Sequence, residues 1–407
     1  MKKILLWLLC ITVCFSSVAC GKGGNQSSWE EVPSDSSDTV SDSTGENSGS
    51  DVPPDTQEEL PTGSEKLRAV YPKQYEVVYL TNDEMTELAL AYVMGGSAEY
   101  CNKGDNFAMK GVDISFYAEG EARSYTLSLA LNKEMDGAVE YELETTTLHL
   151  DDLLVNTKYY WQVEADYENG AEISGVYTFT TANTPRTIQI DGISNTRDVG
   201  GKLTLDGGKI RQNMIFRSAR VEYITELGKK QVAEKYGIKT ELDLRRDDEL
   251  FEAQKQGISA LGENIKYIHI SAPYYMGNEV GIDIEKNQPN LAACIKVFAQ
   301  ADNYPVLFHC TAGRDRTGMI SMLLQGFLGV SKRDIYFDYE TSIFSHYGGG
   351  VSASTVAELV SCLGETYRYV QSFAPQGTYA EACEAFLLHI GVTAEELSSI
   401  RSILLEN

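Results

Sequence analysis

Basic residues are scarce in this chain. Its 407 residues carry 34 Lys and Arg against 59 Asp and Glu, a formal net charge of −25. With no basic stripe to displace phosphate counterions, nucleic acid is excluded as a bulk partner. Adsorption to an anionic lipid surface is excluded by the same imbalance. Cysteine is also sparse: of eight, Cys10, Cys14 and Cys20 fall in the first twenty residues. Cys101, Cys294, Cys310, Cys362 and Cys383 are scattered without regular spacing, which is neither a disulfide framework nor a metal-ligand pattern. Whether Cys362 pairs with Cys383 is not legible from spacing. The apolar run Ile4 to Phe15 spans about a dozen residues, short of the roughly 20 that a spanning helix needs.

That run has the layout of a secretion signal. Lys2 and Lys3 precede it, and the small residues Ser16-Ser-Val-Ala19 follow it, ahead of Cys20 and Gly21. Residues 1–20 resemble a bacterial lipoprotein signal, although Ser17 stands where an aliphatic residue is usual. The resemblance implies lipidation of Cys20 and an extracytoplasmic, membrane-anchored protein, with plain secretion as the alternative. The anchor is then the chain's sole link to a membrane. Residues 21–65 are rich in Ser, Gly, Asp, Glu, Thr and Pro, and their eleven acidic residues face a single Lys22. Such a stretch cannot bury enough apolar surface to offset its ordering entropy and is expected to be an extended, disordered tether.

Residues 66–184 alternate apolar and polar positions in short runs such as Val112-Asp-Ile-Ser-Phe116 and Ser124-Tyr-Thr-Leu-Ser-Leu129. Period-two alternation indicates half-buried antiparallel strands, and hence an all-β sandwich. Leu153 to Ala165, the Asn169-Gly170 turn and Gly175 to Thr181 resemble the last three strands of an immunoglobulin-like, fibronectin type III domain. Tyr160 and Trp161 read as core and edge aromatics, and His149 as a strand residue. Such a sandwich serves as a spacer or binds a surface or protein ligand, and does not itself imply chemistry.

From Arg186 to residue 407 strands alternate with helical spacing, which predicts an α/β domain with a mostly parallel sheet flanked by helices. Its most informative stretch is Pro305-Val-Leu-Phe-His-Cys-Thr-Ala-Gly-Arg-Asp-Arg-Thr-Gly318. A buried strand ends at His309 and Cys310, and a short loop leads into a helix beginning near Arg316. Ligands bind at the carboxyl ends of strands in such sheets. A helix N-terminus and a nearby cation lower a thiol pKa, so Cys310 is expected to be a thiolate nucleophile. The backbone N–H groups of Thr311, Ala312, Gly313, Arg314, Asp315 and Arg316 can cradle the equatorial oxygens of a phosphoryl group. The planar Arg316 fork can hold two of those oxygens, Gly313 permits the tight turn, and the Thr317 hydroxyl can assist the departing sulfur. His309 is expected to orient the loop rather than to act as an acid.

His-Cys-x-x-Gly-x-x-Arg-Thr-Gly after a β-run resembles the signature loop of the protein tyrosine phosphatase superfamily, the cysteine-dependent phosphatases. Asn195-Thr-Arg-Asp-Val-Gly-Gly201, Ile215-Phe-Arg-Ser-Ala219, Gly237 to Arg245 and Gly329 to Tyr339 are similar to the bacterial tyrosine/lipid phosphatase branch. Arg314 departs from that branch, where lysine is usual. The resemblance implies hydrolysis of phosphate monoesters through a cysteinyl-phosphate, without metal or organic cofactor. The expected substrate is a phosphorylated protein, with phosphoinositide or inositol phosphate as the alternative and phospho-ligand adhesion as a third, non-enzymatic reading. The Trp-Pro-Asp triplet of better-known members is missing; that region reads Ala272-Pro-Tyr-Tyr-Met-Gly-Asn-Glu279. In the resembling branch the aspartate within the loop, here Asp315, is the candidate general acid, followed by Asp243 and, more remotely, Asp283. Arg197, Arg217 and Arg245 either line the substrate mouth or serve as structural salt-bridge residues.

Overall fold

The computed structural model describes residues 60, 62–101, 103, 107–277, 279–348 and 350–406. The expected signal, Cys20 and the acidic stretch up to residue 59 lie outside these residues.

Nine strands follow Leu67: β1 (Leu67–Tyr71), β2 (Glu76–Val78), β3 (Val112–Ala118), β4 (Ser124–Ala130), β5 (Val139–Leu143), β6 (Thr147–Leu150), β7 (Lys158–Tyr167), β8 (Gly170–Ile173) and β9 (Tyr177–Thr181). They form a three-stranded sheet, β1-β3-β6, and a second sheet ordered β2-β9-β7-β4-β5, with β8 paired to β7. The alternation sets which side chains point inward: Val112, Ile114 and Phe116 of β3 are buried, while Asp113 and Tyr117 are exposed. Both sheets feed one core, in which Ile114 and Phe116 meet Leu127, Trp161, Val163 and Phe179. Trp161 and Tyr160 are buried, as expected of packing aromatics. His149 lies in β6 with Nδ1 2.7 Å from Asp113 Oδ1.

The region departs from all-β between β2 and β3. There a helix, α1 (Asp83–Leu90), and a 3₁₀ turn, Gly96–Tyr100, form a helical insert. The Asn82 carboxamide caps α1 by accepting from the Met85 N–H, and Asp83 and Glu84 complement the dipole at its first turn. Met85, Leu88 and Ala89, at i, i+3 and i+4, bury one face. The period changes from two to 3.6 within a few residues, which an expectation of strands throughout overlooks.

The second region contains β10 (Arg186–Thr187), β11 (Arg197–Asp198), β12 (Lys209–Ile210), β13 (Ile215–Ser218), β14 (Thr240–Asp243), β15 (Lys266–His269), β16 (Val306–His309) and β17 (Leu405–Glu406). Six of these make one sheet in the order β10-β11-β13-β16-β14-β15. The last four run parallel, and antiparallel β10 and β11 close one edge. β16 sits between β13 and β14 with all four residues buried, as the unbroken apolar run requires. Its faces are covered separately: Leu307 packs with Val232 and Tyr236, whereas the Phe308 ring meets Phe298 at 5.5 Å. The helices are α2 (Glu226–Lys230), α3 (Glu252–Lys255), α4 (Gln288–Val297), α5 (Asp315–Phe327), α6 (Lys332–Thr341), α7 (Ala353–Gln371), α8 (Tyr379–His389) and α9 (Ala394–Leu404). Cys383 is a buried free thiol, so the pairing with Cys362 left open by the sequence does not form.

The two regions belong to one compact unit. Arg186, at their junction, bridges Asp152 of the first (2.8 Å) and Asp198 of the second (3.0 Å). The Gln212 carboxamide likewise accepts from Val155 N–H and donates to Val155 C=O.

Candidate active site

The site is built where β16 ends. Cys310 follows the strand directly, and α5 begins at Asp315, so Thr311 to Arg314 form the turn between them. The carbonyls of this turn are fixed from outside. Thr311 C=O accepts from the Arg220 N–H at 3.1 Å, Ala312 C=O from the Asn195 carboxamide at 2.9 Å, and Gly313 C=O from Arg217 Nη2 at 2.9 Å. In a trans peptide the N–H lies opposite the carbonyl, so fixing these three carbonyls directs the Ala312, Gly313 and Arg314 N–H groups away from those partners. Among the described residues, none from Thr311 to Arg316 donates to a protein acceptor. Gly313 makes this possible: its φ is +68°, and a Cβ there would stand 2.3 Å from the Ser218 carbonyl oxygen.

Cys310 is 2 % exposed. Burial pushes its thiol pKa up, but the Arg316 charge and the Thr317 hydroxyl outweigh this and hold it below the ordinary value. The Thr317 hydroxyl is buried and finds no other partner. His309 supports the strand end: Nε2 lies 3.0 Å from Glu241 Oε1 and Nδ1 3.2 Å from Cys310 C=O. Both nitrogens face acceptors, so the ring is a doubly protonated imidazolium. Burial opposes that charge, yet Asp243 and Glu241 raise the pKa to about 9. Glu241, Asp243 and His309 lie close enough to hold a metal ion. As an imidazolium with both nitrogens on acceptors, His309 has no lone pair to offer, and Ser259 donates to Glu241 while Arg245 and Tyr267 donate to Asp243. The donor set therefore does not fit a cation.

Arg316 is held by Glu249, whose Oε1 accepts from Nη2 at 2.9 Å and Oε2 from Nη1 at 2.5 Å. Glu249 also accepts from the Thr311 hydroxyl at 2.8 Å and from the Arg246 N–H at 2.9 Å. The carboxylate loses solvation there, but Arg316 brings its pKa down to about 2. The Tyr274 ring lies 5.9 Å from the Arg316 guanidinium and forms part of the rim.

Asp315 is at the first turn of α5. Its Oδ1 accepts from the Tyr275 hydroxyl at 2.9 Å, and the Tyr339 hydroxyl lies 3.5 Å away and bonded to that of Tyr275. Arg314 grips both carboxylate oxygens, Nε to Oδ1 at 3.1 Å and Nη2 to Oδ2 at 3.3 Å. That planar grip is what arginine adds over lysine at this position. Burial raises the Asp315 pKa, but Arg314 and Tyr275 reverse the effect, so without substrate the group is a carboxylate.

Several expectations are corrected. Asp243 is wholly buried and accepts from Arg245 at 2.6 Å and from the Tyr267 hydroxyl at 3.0 Å. His309 and Arg245 overcome its desolvation and keep its pKa well below the carboxylate range, so it has no proton to deliver. Asp283 accepts from the Gly277 N–H at 3.0 Å in another loop. Arg197, Arg217 and Arg245 do not line a mouth, because each is 0 % exposed. Arg197 and Arg217 share Asp338 at 3.1 and 2.6 Å, and Arg245 pairs with Asp243 and Glu222. Burying a guanidinium needs such a partner, which is why these arginines point inward. Glu249, Tyr275, Asp338 and Tyr339 were missed as site residues. Glu249 closes the run Arg245-Arg-Asp-Asp-Glu249, which in sequence is indistinguishable from a solvated charge run.

A buried thiol of lowered pKa, a turn with unclaimed N–H groups and an arginine thus converge at one strand end, and the sequence profile of the tyrosine phosphatase family matches residues 188–406. The chain belongs to the tyrosine phosphatase family. Its phosphatase domain is similar to a tyrosine-protein phosphatase of Nostoc commune, 35% identical over 130 residues, which cover 27% of this chain and 42% of that protein. A relative from Cupriavidus necator is 28% identical over 179 residues, 37% of this chain and 61% of its own length. The chain therefore spans about half the length of these relatives. Two structures of the catalytic core of Siw14, one described as a PP-IP phosphatase from S. cerevisiae in complex with citrate, align at TM-scores of 0.27 and 0.28. Their identities are 17% and 16%, with 40% and 47% of this chain and 90% and 98% of theirs covered.

Proposed function

We propose that the chain is a cysteine-dependent phosphatase that hydrolyses phosphotyrosine in proteins through a covalent intermediate on Cys310. The observation that carries this reading is the turn after β16, with its carbonyls tied back and its N–H groups free around a thiol of lowered pKa. The Cys310 sulfur attacks phosphorus and the ester oxygen leaves, taking a proton from Asp315. Water then attacks the cysteinyl-phosphate while the Asp315 carboxylate accepts its proton, and the sulfur departs as a thiolate beside Thr317. Arg316 and the loop N–H groups meet the charge that develops on the equatorial oxygens. Asp315 must be protonated for the first step. An arriving phosphoryl dianion competes for Arg314 and places negative charge beside the carboxylate, and both effects raise its pKa.

Two further parts of the proposal concern the remaining chain. The strand orders β1-β3-β6 and β9-β7-β4-β5 support a fibronectin type III-like module. The residues around Cys20 support a lipid anchor that holds the enzyme outside the cytoplasm.

Purified protein is expected to turn over phosphotyrosyl peptides in excess chelator, and Cys310→Ser to lower the rate by about 10⁴-fold or more. Retained turnover in that variant would sink the mechanism. Phosphoinositides assayed in parallel test the substrate class, and a strong lipid preference replaces phosphotyrosine.

A further inference from the structure

We propose that the helical insert of the β-rich region positions Asp315, acting through Glu340 and Tyr339 of α6. This inference rests on the reading of Asp315 as the proton donor.

Successive residues of a helix point about 100° apart, and three in α6 face three different partners. Asp338 faces the phosphate loop: it binds Arg217, whose Nη2 holds the Gly313 carbonyl. Tyr339 faces the candidate acid, bonding Tyr275 and reaching Asp315 Oδ1 at 3.5 Å. Glu340 faces away from the chemistry and is 1 % exposed. Among the described residues its donors all come from the insert: the Tyr92 hydroxyl at 2.5 Å, Gly95 N–H at 2.9 Å and Ser97 N–H at 3.1 Å.

A buried carboxylate without partners is costly, so α6 is held in this rotation by the insert that satisfies Glu340. Apolar packing sets the same register. Phe337 and Phe344 share a cluster with Met85, Leu88 and Ala89, and the Tyr92 ring lies 5.1 Å from Phe337. Arg333, one turn earlier, donates to Ala89 C=O at 2.8 Å. Because a helix turns as a body, a rotation that frees Glu340 also displaces the Tyr339 hydroxyl. Displacements of about 1 Å at a reacting group can cost on the order of 10²-fold in rate. Glu340 and Tyr92 are therefore positioning residues, and the β-rich region completes the site rather than only carrying it.

The test is leaving-group dependence, because an activated aryl phosphate departs without a proton and a poor one needs it. In the full chain, kcat/KM is compared for 2,4-dinitrophenyl phosphate and phenyl phosphate. Asp315→Asn is expected to widen that ratio by about 10²-fold. Glu340→Gln should widen it by about tenfold and Tyr92→Phe by about threefold, each a fraction of the effect of losing the acid. If Asp315→Asn leaves the ratio unchanged, the acid assignment falls and this proposal with it. If Asp315→Asn widens the ratio while Glu340→Gln and Tyr92→Phe lower both substrates equally, or neither, only the coupling is overturned.

Discussion

Glu249 holds Arg316 by two hydrogen bonds along the Nη1–Nη2 edge of the guanidinium. Arg316 Nε has no protein acceptor among the described residues, so an edge remains for a phosphoryl group. Glu249 also binds the Thr311 hydroxyl, so one carboxylate braces both sides of the cradle. Glu249→Gln keeps the shape but removes the charge that pins the arginine. We expect kcat/KM for an aryl phosphate to fall by about 10- to 100-fold and inhibition by inorganic phosphate to weaken in step. Unchanged values for both would remove Glu249 from the site.

Asp338 pairs with both Arg197 and Arg217, with Lys202 3.5 Å away, in a fully buried position. Asp338→Asn strands two buried guanidinium groups, and breaking such a network costs about 3–5 kcal/mol. Urea unfolding of the variant reads this directly. A midpoint equal to that of the parent would mean the arginines find other partners.

His309 makes stability depend on pH. Its folded pKa of about 9 lies above the ordinary 6.5, so the native state binds the proton more tightly than the unfolded chain. That contribution is fully present below pH 6.5 and is lost as pH rises towards 9. Unfolding free energy should fall over this window by on the order of 1–3 kcal/mol. Glu241→Gln, which keeps an acceptor for Nε2–H but removes the negative charge beside it, should flatten the slope. A slope unaltered by that change would show another group to be responsible.

Gly318 gives the Tyr339 ring its place against α5. A Cβ at this position would stand 2.7 Å from the ring. Gly318→Ala is therefore expected to lose about 1–3 kcal/mol through overpacking, despite alanine's better helix propensity. Thermal denaturation gives the first quantity, and a parallel fall in phenyl phosphate turnover would report the shifted tyrosine. A more stable Gly318→Ala variant would contradict the packing.

Much of this is legible in the sequence alone. Val306 to Phe308 read as a covered strand because apolar runs bounded by turn residues pack that way. Cys310, Gly313, Arg316 and Thr317 were legible because the chemistry is local, within one loop. The alternation from Val112 to Thr181 likewise announced strands. The helical insert was less visible, since eight residues of α1 stand among strands and carry their apolar positions on a 3.6 period.

The order of residues pointed to the candidate nucleophile and its cradle through strand–turn–helix geometry, and to Asp315 as candidate acid through the family resemblance; all lie between 310 and 317. It could not say which charged residues face the substrate. Arg197, Arg217 and Arg245 are as basic in sequence as Arg316, and only the fold decides that three are wholly buried against Asp338, Asp243 and Glu222 while Arg316 is held beside Cys310 by Glu249. The partners that brace the loop come from 61 residues upstream of Cys310 at Glu249 and 28 downstream at Asp338. Glu340 reaches across 248 residues to Tyr92. Contacts of that range leave no periodicity or spacing in the chain, because they are set by where the packed layers bring distant elements together.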